Sequence, residues 1–170
     1  MIRAIVYLIE IFVCFILQTS VFSYFSVSGV VPDCILILVI SVAYMGGQNK
    51  AIIVGFLSGL LLDIMSGGII GLCPLIYMGV AYLAGYSNKV FDAHDYIIPN
   101  ALVFVGEVIY SVVYYCGTFL LMGKTGLFGY MANTIIPRVI YTLIVGLFLY
   151  PLFLLLEKLI SITGGVADDN

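Results

Sequence analysis

The sequence predicts an all-α integral membrane protein of about six transmembrane helices, with both termini in the cytoplasm (N-in/C-in). Three observations carry that reading. Hydrophobic residues make up 64% of the chain and charged residues 9%, with a mean hydropathy of +1.24. A soluble domain carries roughly a quarter charged residues, so these 170 residues have too few charges to wet a globular surface. The apolar residues fall in runs approaching or exceeding the length that crosses a bilayer, about 20 residues for a full helix. Lysine and arginine collect on alternate connections, as the positive-inside rule requires.

The six segments are 4–22, 32–45, 51–65, 69–86, 97–122 and 134–160. The first follows Arg3 and resembles a signal peptide only superficially: "LQTSVFSYF" offers no small-x-small cleavage site, so a retained helix is expected. The second opens on Pro32 at the first helical position, with Asp33 in the first turn complementing the helix dipole. "GGQNK" separates it from the third, and "YSNKVFDAHDY" is the polar connection before the fifth. "MGKTGLFGY" ends the fifth, and Pro137 kinks the sixth or stands near its start. With the N-terminus inside, Arg3, Lys50, Lys89 and Lys158 fall on the cytoplasmic side and Lys124 outside. The rival arrangement has five spans, with the third and fourth segments merged as a re-entrant pair. Residues 1–160 form one bundle; 161–170, "SITGGVADDN" without its neighbours, reads as a short disordered cytoplasmic tail.

Several function classes are excluded. The net charge is −3 and no polybasic patch is present, so nucleic acid is not a partner. Cys14, Cys34, Cys73 and Cys116 sit in apolar runs without a CxxC pair and read as buried small hydrophobes. His94 stands in "DAHD" without the converging ligands a metal needs. The chain has no HExxH, GxSxG, phosphate loop or dinucleotide turn, so neither an enzyme nor a cofactor is expected.

What needs explaining is the ionisable side chains at membrane depth. In "GLLLDIMSGGIIG", Asp63 shares a helical face with Gly55, Ser58, Gly59, Leu62 and Ser66. Gly55 and Gly59 form GxxxG, which admits a neighbouring backbone. That face therefore meets protein, since an ionised carboxylate in lipid costs at least about 2.5 kcal/mol. At about 1.5 Å per residue, Asp63 lies roughly 20 Å from Lys50, in the outer leaflet. It is expected to accept the freed amides of Ser66, Gly67 and Gly68 at the junction that follows, or to line an outward recess. Arg138 falls in the same outer half, which makes Asp63–Arg138 the expected ion pair, with snorkelling of Arg138 to the headgroups as the alternative. Glu107 shares a face with Asn100, Tyr110, Ser111, Tyr114 and Thr118, and tyrosine hydroxyls are its expected partners in a structural or inter-subunit role. Glu10 shares a face with Arg3, Tyr7, Cys14 and Gln18, so the first helix packs on protein, its own bundle or a partner.

"VVPDCILILVISVAYMGG" and "GFLSGLLLDIMSGGIIGLCPLIYMGVAYLAGY", with G-x-x-x-G-x-x-x-D as the most specific piece, resemble the bacterial rod shape-determining protein MreD family. The resemblance covers roughly the second to fourth segments. It carries over onto Pro32, Asp33, Gly55, Gly59, Asp63 and Gly71. It implies a non-enzymatic component of the cell-elongation complex in the bacterial inner membrane, scaffolding lateral peptidoglycan synthesis. MreC's membrane anchor would be the direct partner, with MreB, RodA and a class B penicillin-binding protein indirect ones. The family also resembles the S-component fold of energy-coupling-factor vitamin transporters, which makes a substrate-binding subunit the alternative. Against it, "IVYLIEIFVCFILQ" lacks the alanine-spaced stripe by which such subunits dock. A proton-coupled carrier using Glu107 is the third reading.

Overall fold

The computed structural model describes residues 2–26, 29–67, 70–87, 97–122 and 134–165. Among them are six membrane-length or shorter helices and no β-sheet. Helix α1 (Ile2–Ile16) continues through a π-helical turn (Leu17–Val21) into Phe22–Tyr24. It is followed by α2 (Cys34–Gly46), α3 (Gln48–Ser66), α4 (Leu72–Ser87), α5 (Ile97–Met122) and α6 (Ile136–Gly165). Helices α1, α3, α5 and α6 are long and apolar enough to cross a membrane, while α2 and α4 are shorter apolar helices. The six expected segments are all present, and α6 runs on to Gly165, into the segment expected as tail.

Helix α2 is the axis of the bundle and packs against each of the other five helices. Its sequence, "CILILVISVAYMG", is apolar on every side, the pattern of a helix enclosed by protein. Every residue from Cys34 to Tyr44 is buried. Ser41 is no exception to the chemistry, since its hydroxyl donates to Ile37 O at 2.7 Å within the helix.

The 13 residues of α2 give a rod of about 20 Å, which falls about 10 Å short of the hydrocarbon core of a bilayer. One end therefore lies inside the membrane; it is the N-terminal one, which stands beside Glu107 midway along α5 and is reached by irregular chain around Gly29 (φ +78°) and Pro32. Irregular backbone at that depth is stable only where protein supplies its hydrogen bonds. Pro32 has no N–H to satisfy. The Asp33 N–H donates to Thr142 Oγ1 at 3.1 Å, and the Ile35 N–H donates to Gln18 Oε1 at 3.4 Å. The wide π-helical turn of α1, where Thr19 Oγ1 donates to Phe15 O, presents Gln18 to this terminus.

Helices α3 and α4 form the closest pair. A Cβ on Gly59 would stand 2.5 Å from Pro74 N and 2.6 Å from its Cα, and one on Gly55 would stand 3.0 Å from Tyr77 O. The expected GxxxG contact is thus internal, made with α4. At the other end of the pair Gly85 of α4 closes on Gln48 of α3, where a Cβ would lie 2.6 Å from Gln48 Cα. Of the polar face expected on α3, Gly55, Ser58, Gly59, Leu62 and Asp63 are buried, whereas Ser66 is exposed because the helix ends there.

Helix α1 also turns its polar face inward. Glu10, Ile11 and Cys14 are buried, and Tyr7 Oη donates to Glu157 of α6 at 3.2–3.3 Å. Its exposed face is wholly apolar: Ile5, Ile9, Phe12 and Ile16. The Arg3 side chain, Lys89, His94 and Lys124 lie outside the described residues.

Candidate functional site

Among the described residues, three charges from three parts of the chain, Asp33, Glu107 and Arg138, meet at the start of α2. Asp33 is the N-cap of that helix, one residue outside it, and Pro32 precedes the cap, which corrects the expectation of Pro32 at the first helical position and Asp33 in the first turn. Asp33 Oδ1 accepts the Leu36 N–H at 2.9 Å, the usual work of a capping aspartate. Its Oδ2 accepts two further donors from distant helices, Tyr77 Oη of α4 at 2.6 Å and Arg138 Nη2 of α6 at 3.0 Å. With its N–H on Thr142, one residue ties together α2, α4 and α6.

Arg138 continues the network. Its Nε lies 2.7 Å from Glu107 Oε1 of α5, a charge contact whose N–H is not aligned as a hydrogen bond. The guanidinium carbon stands 4.6 Å above the Tyr110 ring, a cation–π geometry. Tyr110 in turn packs on Tyr77 at 5.4 Å and stacks on Tyr114 at 5.5 Å, centroid to centroid. The side chains of Asp33 and Glu107 are fully enclosed and that of Arg138 is 19% exposed.

Local helix physics does not favour an arginine where Arg138 stands. It occupies the first turn of α6, whose partial positive charge repels a cation. Two carboxylates within 3.0 Å offset that repulsion. Counting formal charges, two acids face one base, so Arg138 is shared between Asp33 and Glu107.

This arrangement corrects the expected Asp63–Arg138 pair. Helix α6 packs on α1, α2 and α5, whereas α3, which carries Asp63, packs on α1, α2 and α4. Arg138 therefore meets the acid at the end of α2. Glu107 likewise takes an arginine in place of the expected tyrosine hydroxyls, and the second acid at its depth, not anticipated, is Asp33. Of the residues expected to share its face, Tyr110 and Ser111 are buried with it, and the side chain of Thr118 lies outside the described residues.

Asp63 closes a separate junction. Its Oδ2 accepts the Gly71 N–H at 2.7 Å, across the connection from α3 to α4, rather than the amides of Ser66 or Gly67. The Gly67 N–H caps the helix by donating to Asp63 O at 3.2 Å. Gly67 (φ +62°) and Gly71 (φ +103°) adopt backbone that favours glycine. The expected acceptance by Gly68 falls outside the described residues. Asp63 is 3% exposed. Asp63→Ala strands the Gly71 N–H and is expected to cost about 1–3 kcal/mol. Asp63→Asn, which keeps an acceptor oxygen, is expected to recover most of it. Thermal unfolding of the purified variants in detergent checks both, and equal midpoints for Asp63→Ala and the unaltered protein would remove the junction role.

Sequence reasoning missed Tyr77 and Thr142. Thr142 had a signal, since it follows Arg138 by one helical turn and shares its face. Tyr77 had none, because only the α4 placement set by Gly55 and Gly59 aims it at Asp33. Among the described residues no group of three His, Cys, Asp or Glu side chains is placed to hold a metal ion.

These features define a class: a polytopic α-helical membrane protein whose intramembrane charges are turned on one another around a central short helix. Within that class the family is identified by comparison. The family model for rod shape-determining protein MreD matches residues 1–160, and the chain belongs to the MreD family. It has a role in rod-shape determination. Comparison with curated proteins and with solved structures gave no match.

Proposed function

We propose that this protein is a scaffold of the cell-elongation complex in the bacterial cytoplasmic membrane. In this reading it holds the membrane anchor of MreC and through it acts with MreB, RodA and a class B penicillin-binding protein in lateral peptidoglycan synthesis. It performs no chemistry of its own. Membership of the MreD family over residues 1–160 carries the reading. The fate of the ionisable groups supports it: Asp33, Glu107, Arg138 and Asp63 are each engaged with other parts of the same bundle. They fix helix positions and so hold the outer faces in a defined shape for a partner.

Pro32, Asp33, Gly55, Gly59, Asp63, Gly71, Glu107 and Arg138 serve the scaffold by fixing its shape. With the polar face of α1 turned inward, a partner helix would meet the apolar Ile5, Ile9, Phe12 and Ile16 instead. The test is crosslinking in native membranes followed by purification of the tagged full chain. MreC is expected among the captured proteins, and its capture is expected to fall with Gly59→Leu. Capture of a transporter ATPase, or a vitamin retained through purification, would overturn the scaffold in favour of a transporter subunit. Proton flux in liposomes abolished by Glu107→Gln would overturn it in favour of a carrier.

A further inference from the structure

A cavity of about 270 Å³ opens between α1 and α3, and none of Asp33, Glu107 and Arg138 lines it. Leu8 and Ile11 of α1 and Ile53 and Leu57 of α3 line its body, and Tyr7 and Lys50 stand at one end. On both helices the lining residues recur at three- and four-residue steps, so the groove follows the helix axes. From Lys50 to Leu57 it extends about 10 Å. Ile53 is 60% exposed and Leu8 53%, so the groove is open along its length to the surrounding bilayer.

The end at Lys50 is cationic. Lys50 belongs to the first turn of α3, and Gly47, which caps that helix, supplies no side-chain acceptor to its amides. The methylene stem of Lys50 packs near Gly46 and so keeps the ammonium beside the groove. Among the described residues Lys50 makes no ion pair. Two acids lie near this end: Glu157, bonded to the Tyr7 hydroxyl, and Glu10, which is buried in the bundle beside Glu157. The groove thus offers an alkyl-lined channel with, at its mouth, a lysine that makes no ion pair among the described residues and the positive end of a helix dipole. Positive-inside reasoning sets this mouth at the cytoplasmic headgroup level.

We infer that the α1–α3 groove binds an anionic glycerophospholipid of the cytoplasmic leaflet, one acyl chain lying between Leu8 and Leu57 and the phosphate at Lys50. The charge matches a lipid headgroup, and the apolar body matches its tail. A bound lipid of this kind would fill the space between α1 and the rest of the bundle and set the angle at which α1 stands.

Native mass spectrometry of the full chain, released from nanodiscs of equal phosphatidylglycerol and phosphatidylcholine, tests it. Retained phosphatidylglycerol is expected to exceed phosphatidylcholine by about fivefold, the preference one interfacial lysine confers. Lys50→Gln is expected to abolish the preference, and Lys50→Arg to keep it. Leu57→Trp, which fills the groove, is expected to remove retained lipid of both kinds. Thermal unfolding of each variant identifies those that are folded, and only folded variants are compared. Equal retention of the two lipids by the unaltered protein, an undiminished preference in Lys50→Gln, or undiminished lipid in Leu57→Trp would each overturn the inference. So would a crosslink placing a second copy or a partner helix between Leu8 and Leu57.

Discussion

Replacing Arg138 with methionine is expected to be the most damaging single substitution in the buried core. It leaves Asp33 and Glu107, both fully enclosed, facing each other's charge without a base. Removing one partner of a buried ion pair costs about 3–5 kcal/mol, a large share of the stability of a typical domain. The charge count makes the ranking specific. Glu107→Gln removes the surplus acid and leaves Asp33 and Arg138 balanced, so its effect is expected to be the mildest. Asp33→Asn also leaves one acid against one base and keeps an oxygen for capping α2, but it weakens the acceptor for Tyr77 and Arg138. It is expected to fall between the two. Thermal unfolding in detergent, with the double variant Arg138→Met/Glu107→Gln to measure coupling, checks the order. Should Glu107→Gln prove as harmful as Arg138→Met, the shared-arginine account is wrong.

Gly59→Ala is expected to have the second-largest effect, through size alone. The added methyl would stand 2.5 Å from Pro74 N and 2.6 Å from Pro74 Cα, and neither atom can move without shifting α4. Overpacking of a rigid core costs about 1–3 kcal/mol, and here the contact is backbone to backbone. The displacement would be felt beyond the pair, since α4 carries Tyr77 to Asp33. Gly79→Ala in α4 is the internal control, because a Cβ there meets nothing within 4 Å. A normal unfolding midpoint for Gly79→Ala beside a depressed one for Gly59→Ala is the expected result. Equal midpoints for the two variants would show that α3 and α4 are not held this close.

Much of the fold was legible because lipid imposes a simple rule: each apolar run must become a helix or be enclosed by protein. The bounds of α5 follow from its apolar run, and Gly55 and Gly59 mark the face of α3 that meets protein, though not that α4 is what it meets. The pairing of charges did not follow. Counting residues from connections taken to lie at the surface places Asp63 level with Arg138. That count is blind to a helix beginning inside the bilayer. From sequence Asp33 reads as an acid of the first turn that complements the helix dipole, and only the shortness of α2 brings it down to Arg138 and Glu107. Lateral order was hidden for a related reason: periodicity says which face of α6 is polar but not which helix that face meets. The site's acids and base were therefore readable as a set of buried charges, while their partners depended on the position of α2.

The enclosure of α2 also bears on how the chain is made. It leaves the ribosome second, but two of its neighbours, α5 and α6, are made last. Until then Asp33 has no arginine opposite it, and a rod of about 20 Å is too short to rest alone in the bilayer. Its enclosure is therefore complete only once α5 and α6 have been made, since Arg138 and Thr142 of α6 supply the last partners of Asp33. A nascent chain cut off before α6 would keep the bonds of Asp33 to the Leu36 N–H and the Tyr77 hydroxyl but would carry a buried acid without its countercharge.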